Sequence, residues 1–181
     1  MNIPALIVGL LAVACFVFSY ALKSRKSILF FNLTSRVLYI LQYLLLAAFE
    51  GAVLDVLGAL SVFLAQQADR PWLKKHRLPI FLLVHLSMVV AGGLLYQNIF
   101  SLFPLVGILL QAGAMWLRRE GPIRLISMLG CPFWFTYNFV SGAYGSCVGD
   151  LLALASLVYA FVRYNIKEKN GQTANQGGKT V

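Results

Sequence analysis

Few side chains in this chain can do chemistry, and most of those lie deep inside apolar runs. Arg36 is the sharpest case. It stands about two turns inside its run, roughly 12 Å from the nearer end at about 1.5 Å per residue. A charge at such depth costs about 2.5–3.5 kcal/mol on insertion scales, so it must face protein or water. It could grip a carboxylate or phosphate through a two-pronged, charge-assisted hydrogen bond. It could instead snorkel to the headgroups or pair with Asp55 or Asp150. Trp134 and Asn138 are four residues apart and share one helical face, as do Tyr39 and Tyr43. Both pairs fall near mid-depth, away from the interfaces where aromatic belts gather. An aromatic plate beside an amide could hold a ligand, by stacking and by offering both donor and acceptor. The plainer alternative is interhelical packing, with Asn138 bonded to a neighbouring helix. Asp55 and Asp150 fall about one turn from the outer ends of their runs. They could complement helix dipoles or carry a coupling proton or cation.

No catalytic constellation accompanies these residues. There is no zinc-protease, phosphate-loop or nucleophile-elbow motif and no carboxylate cluster beyond Asp55 and Asp150, so the expectation is a non-enzyme without cofactor or metal. His85 is isolated in its run and reads as a hydrogen-bonded packing group. Cys15, Cys131 and Cys147 lack paired spacing and read as small packing residues.

The elements that must position these residues are membrane helices. The 181-residue chain is 60% hydrophobic and 12% charged, against about 25% charged in soluble domains. Seven apolar runs, roughly 3–22, 28–48, 51–67, 79–96, 99–117, 124–142 and 146–164, approach the length of about 20 residues that a bilayer asks of a helix. The net charge of +9 is confined almost wholly to alternate loops. Lys23, Arg25 and Lys26, then Arg70, Lys74, Lys75 and Arg77, then Arg118, Arg119 and Arg124 mark one side, and the basic tail joins them. That is the positive-inside pattern rather than a nucleic-acid footprint. It places the N-terminus outside and the C-terminus in the cytoplasm. The first run precedes its basic cluster, the reverse of a secretory signal, and reads as a retained helix.

The chain also repeats itself. Asp55 and Asp150 stand at an offset of 95, since 150 − 55 = 95. At that offset residues 1–70 fall on 96–165 without a gap, and hydrophobic runs, basic loops and the membrane acid coincide. Tyr39 and Tyr43 meet Trp134 and Asn138, whereas Arg36 meets Cys131. An odd number of crossings lets both copies insert in the same orientation. The expected architecture is therefore an all-α integral membrane protein of seven transmembrane helices in a 3+1+3 parallel repeat. Residues 1–68 form the first three-helix copy, 69–97 a basic cytoplasmic loop and linker helix, 98–164 the second copy, and 165–181 a disordered cytoplasmic tail.

This arrangement resembles the SWEET and PQ-loop transporter superfamily. Within it, Met128 to Tyr164 resembles the YgjV-type bacterial inner-membrane proteins. The resemblance is carried by Cys131-Pro132-Phe133-Trp134-Phe135-Thr136-Tyr137-Asn138-Phe139, by Ser141-Gly142-Ala143-Tyr144-Gly145, and by Asp150 and Arg163. It implies a multi-pass protein of the bacterial inner (cytoplasmic) membrane. There is no Pro-Gln dipeptide, and of the four symmetric hinge prolines of SWEETs only Pro104 and Pro132 are present, opposite Gly9 and Val37. The expectation is a transporter or facilitator of a small polar or zwitterionic organic solute. Its substrate site would comprise Arg36, Tyr39, Tyr43, Trp134 and Asn138, between two bundles that alternate access. The alternative is a non-transporting membrane adaptor with packed helices and no central cavity. Partners would be the solute and the lipid bilayer, with self-association into a homo-oligomer left open and nucleic acid excluded.

Overall fold

The computed structural model describes residues 3–47, 49–140 and 144–166. The expected tail beyond residue 166, and residues 141–143 of the sixth loop, lie outside the described residues. Eight α-helices occur among the described residues, with no strand. They are α1 (Ile3–Ala21), α2 (Arg25–Leu45), α3 (Phe49–Gln66), α4 (Pro71–Lys75), α5 (Arg77–Leu94), α6 (Leu102–Ala114), α7 (Glu120–Val140) and α8 (Tyr144–Phe161).

The helix beyond the expected seven is α4, five residues long, inside what reads from the sequence as a basic loop. Pro71 opens it from the first-turn position, where its missing N–H is no loss. Among the described residues four helices suffice, by length and composition, to cross a membrane: Ile3–Ala21, Arg25–Leu45, Arg77–Leu94 and Ser146–Tyr164. Gly51–Gln66 and Ile99–Ala114 are apolar but shorter. A 3₁₀ turn, Ile99–Ser101, leads into α6, and the Asn98 side chain starts it by accepting from the Phe100 N–H at 2.9 Å. After α8 the chain adds one π-helical turn, Val162–Ile166.

Six helices close into a ring. α1 packs on α2 and on α8; α2 packs on α3, α3 on α6, α6 on α7 and α7 on α8. α5 lies outside this ring against α3 and α6. Large apolar side chains point outward all round, among them Leu10, Phe30, Phe63, Leu83, Leu129, Phe139 and Leu151. In water such a surface would aggregate; in a bilayer it is the lipid-facing band. Polar side chains turn inward instead, and Asn32, Arg36, Asp55, Gln111, Asn138 and Asp150 are all buried. Two apolar clusters flank them, one around Tyr20, Ile28, Leu29, Met115, Ile123 and Leu157, the other around Leu54, Met88, Ile108 and Trp134.

Candidate functional site

The ring encloses a chamber to which all six of its helices contribute. Phe16 comes from α1, Ser35, Arg36, Tyr39 and Tyr43 from α2, Asp55 from α3, Gln111 from α6, Trp134 and Asn138 from α7, and Asp150 from α8. The five residues expected to bind substrate and the two expected acids thus line one space. Its free volume is about 30 Å³, room for one or two waters.

Arg36 does not snorkel. Because α2 begins at Arg25, Arg36 sits eleven residues in, about 16 Å deep, and the long reach to the headgroups is not taken. Its Nη1 donates to Asp55 Oδ1 at 2.7 Å, and both side chains are buried. Its Nε donates to Asn32 Oδ1 at 3.3 Å, and Asn32 in turn reaches the Tyr20 hydroxyl at 3.5 Å. The guanidinium crosses to α3 over Gly58, where an added Cβ would lie 2.7 Å from Nη1.

The acids correct one expectation. α3 begins at Phe49 and α8 at Tyr144, so Asp55 and Asp150 are each the seventh residue of their helices. That is past the first turn, where a helix dipole acts on a charge. Their environments differ. Asp55 meets the Arg36 cation, whereas Asp150 Oδ2 accepts from the neutral Asn138 Nδ2 at 2.8 Å.

Four buried polar atoms of the wall have no hydrogen-bond partner among the described residues: Arg36 Nη2, Gln111 Nε2, Trp134 Nε1 and Asn138 Oδ1. Three are donors and lie on α2, α6 and α7; the acceptor lies beside Asp150. The aromatic walls are ordered, with Tyr39 and Tyr43 stacked at 6.3 Å between centroids and Phe16 edge-on to Tyr39 at 6.2 Å.

A family model described as a bacterial inner membrane protein, Imp-YgjV, matches residues 3–168. The chain belongs to the Imp-YgjV family. No curated protein and no solved structure matches it. With its apolar helices and outward band of apolar side chains, this Imp-YgjV chain is a protein of the bacterial inner membrane.

Spacing and charge alone missed Phe16, Ser35 and Gln111. A signal existed for one pair: Phe16 and Gln111 differ by 95, as do Tyr39 and Trp134, Tyr43 and Asn138, and Asp55 and Asp150. The expected hinge prolines separate. Pro132 lies inside α7, while Pro104 stands in the first turn of α6, a helix start that needs no hinge to accept it.

A glycine sets the position of the indole. A Cβ on Gly107 would lie 2.7 Å from both Cδ1 and Nε1 of Trp134. Gly107→Ala is therefore expected to push the ring into the chamber and to cost about 1–3 kcal/mol through overpacking. Thermal unfolding of the purified protein checks this, and an unchanged midpoint would mean that the indole yields freely.

Proposed function

We propose that the protein is a transporter or facilitator of a small polar or zwitterionic organic solute, rather than an enzyme, and that the chamber is its substrate site. The observation that carries this reading is the set of unpartnered polar groups lining one chamber. Unpartnered donors on Arg36, Gln111 and Trp134, and acceptors on Asp150 and Asn138 Oδ1, all belong to residues of its wall. Buried polar groups are ordinarily satisfied, and leaving several unsatisfied around one cavity is what a site awaiting a polar ligand requires. A solute carrying both a carboxylate and an amine matches both kinds of group.

The finer architecture belongs to the same proposal. It is a SWEET-like 3+1+3 parallel repeat of seven crossings, with α1–α3 and α6–α8 as the copies, α5 as linker and the C-terminus cytoplasmic. Four pairs of lining residues at the common offset of 95 support it. So do two serines at that offset that bridge opposite seams of the ring. Ser61 Oγ accepts from Trp116 Nε1, and Ser156 Oγ donates to the Val17 carbonyl, both at 2.9 Å. In parallel repeats the site lies between the halves, and one bundle rocks against the other to alternate access. The small chamber then corresponds to a closed state that must widen to admit a solute.

That same small volume, about 30 Å³, favours the second reading, a membrane adaptor that transports nothing. A binding screen separates the two. Purified protein in nanodiscs is heated with pools of small zwitterionic and polar metabolites. Transport predicts that at least one pool raises the unfolding temperature and that Asn138→Ala abolishes the effect. No response from any pool, or an effect that survives Asn138→Ala, would reject it.

A further inference from the structure

We infer that Asp150, together with the side-chain carbonyl of Asn138, binds one small positive charge, a proton or a bare alkali-metal cation, and that Asp55 does not. The claim that this cation is coupled to solute movement rests on the transport reading above; the site itself does not.

Charge accounting leads there. Among the described residues the charged groups of the chamber wall are Arg36, Asp55 and Asp150. Arg36 and Asp55 cancel each other in direct contact at 2.7 Å. Asp150 is 8% exposed and bonded to a neutral amide. Among the described residues the ion pairs are Arg36–Asp55 and Arg118–Asp69, so no side-chain cation sits on Asp150. From α1 the wall receives only Phe16. Besides Arg36, which Asp55 holds, the titratable groups near Asp150 include Tyr39 and Tyr43 of α2, Cys131 of α7 and Cys147 of its own helix. Tyrosine and cysteine side chains are never cationic. An isolated carboxylate inside a membrane helix bundle is expensive unless a proton or cation joins it.

Asn138 supplies an independent observation. Its Nδ2 is spent on Asp150, while its Oδ1, in a residue only 3% exposed, has no donor. A carboxylate and a buried amide oxygen without a donor together present acceptors only, and acceptors only call for a proton or a metal cation. At a free volume of about 30 Å³ the chamber as it stands has room for a proton or a bare ion, and an organic cation would need it to widen.

The repeat offset gives the asymmetry a meaning. Asp55 and Asp150 are equivalent positions, but Arg36 is equivalent to Cys131. The first copy carries its cation as a tethered side chain. The second lacks it and leaves the place to a mobile one.

The test uses full-length protein in nanodiscs, as wild type, Asp150→Asn and Asn138→Ala. One arm follows the carboxylic-acid carbonyl band by infrared difference spectroscopy across a pH series without alkali ions. The other follows thermal unfolding at fixed pH in lithium, sodium or potassium chloride against N-methylglucamine chloride at equal ionic strength. A proton site gives a titrating carboxylic-acid band. An alkali site gives a rise of roughly 5–10 °C at about 100 times Kd. Either response is expected to vanish in Asp150→Asn and to weaken in Asn138→Ala. The second variant keeps the carboxylate and carries the test if the first fails to fold. Silence of the wild type in both arms overturns the proposal, as does a full response in either variant. A cation response without any solute binding would instead remove the transport reading and leave the cation site standing.

Discussion

Replacing Asp55 by Asn is expected to destabilise the protein by about 3–5 kcal/mol, whereas Asp150→Asn costs less than about 1 kcal/mol or stabilises. Each acid is the seventh residue of its helix, and a symmetric role would predict equal losses. Their partners make the difference. Asp55 neutralises Arg36 at 2.7 Å inside the ring, where both side chains are almost fully shielded. Removing its charge leaves a buried guanidinium with one neutral partner, Asn32, and an Nη2 that is already unpartnered. Asp150 has only an amide beside it, and Asn at that position preserves size while deleting a lone negative charge. Unfolding in mixed micelles with increasing denaturing detergent measures both variants. Arg36→Met in the Asp55→Leu background is expected to recover most of the loss, because a buried pair replaced by apolar groups of similar volume is often neutral or better. Equal midpoints for the two Asn variants would show that the ion pair contributes nothing.

How much of this could be read from residues alone depends on what each residue's signal reports. Hydropathy reports which segments meet lipid, so the membrane class and the approximate limits of most long helices were legible. Depth reports cost: Arg36, mid-membrane aromatics and two membrane acids are improbable unless they face an interior, and all of them line the chamber. Partnership was not legible. Arg36 had Asp55, Asp150 and the headgroups open to it, and the choice turns on Gly58 clearing a path for the guanidinium across α3. Nothing local to position 36 encodes that glycine. Helix starts were also misplaced. The apolar runs of α2, α3 and α8 begin two or three residues later than the helices do, and the error moved Arg36 too near its helix start and both acids into a first turn they do not occupy. Phe16 was silent because an aromatic residue in an apolar run looks like any lipid-facing side chain.

The basic loops illustrate the same limit. Counted as charges, Arg25 and Arg124 report only which side of the membrane they occupy. In the structure they are helix-end ligands that cross the ring. Arg25, at the start of α2, donates from Nε to the Leu117 carbonyl at 2.8 Å, and from Nη2 to those of Met115 and Ala65 at 3.2 Å. Arg124, near the start of α7, donates from Nη2 to the Leu22 carbonyl at 2.9 Å. Leu22 and Leu117 differ by 95. Arg25 of α2 thus reaches carbonyls at the C-terminal end of α6, and Arg124 of α7 a carbonyl at the C-terminal end of α1. Those helix ends carry carbonyls without intrahelical partners and partial negative charge, which a guanidinium satisfies.

Arg25→Ala is accordingly expected to cost about 2–3 kcal/mol, the range of a hydrogen bond to a charged donor with its acceptors left short. Arg25→Lys should recover little, because an ammonium cannot span carbonyls from two helices as the planar fork does. Stability alone would not separate a latch from ordinary packing, so a second readout is needed. Cys131 is buried beneath this end of the ring, in the cluster with Tyr20, Ile28 and Met115. In a Cys15→Ser, Cys147→Ser background it is the sole thiol. If the crossed arginines hold the ring shut, Arg25→Ala and Arg124→Ala each speed maleimide labelling of Cys131 in native membranes, and the double variant exceeds the sum of the two. Labelling that stays at the background rate while the protein is destabilised would make these arginines structural caps and place any opening of the chamber at the opposite end.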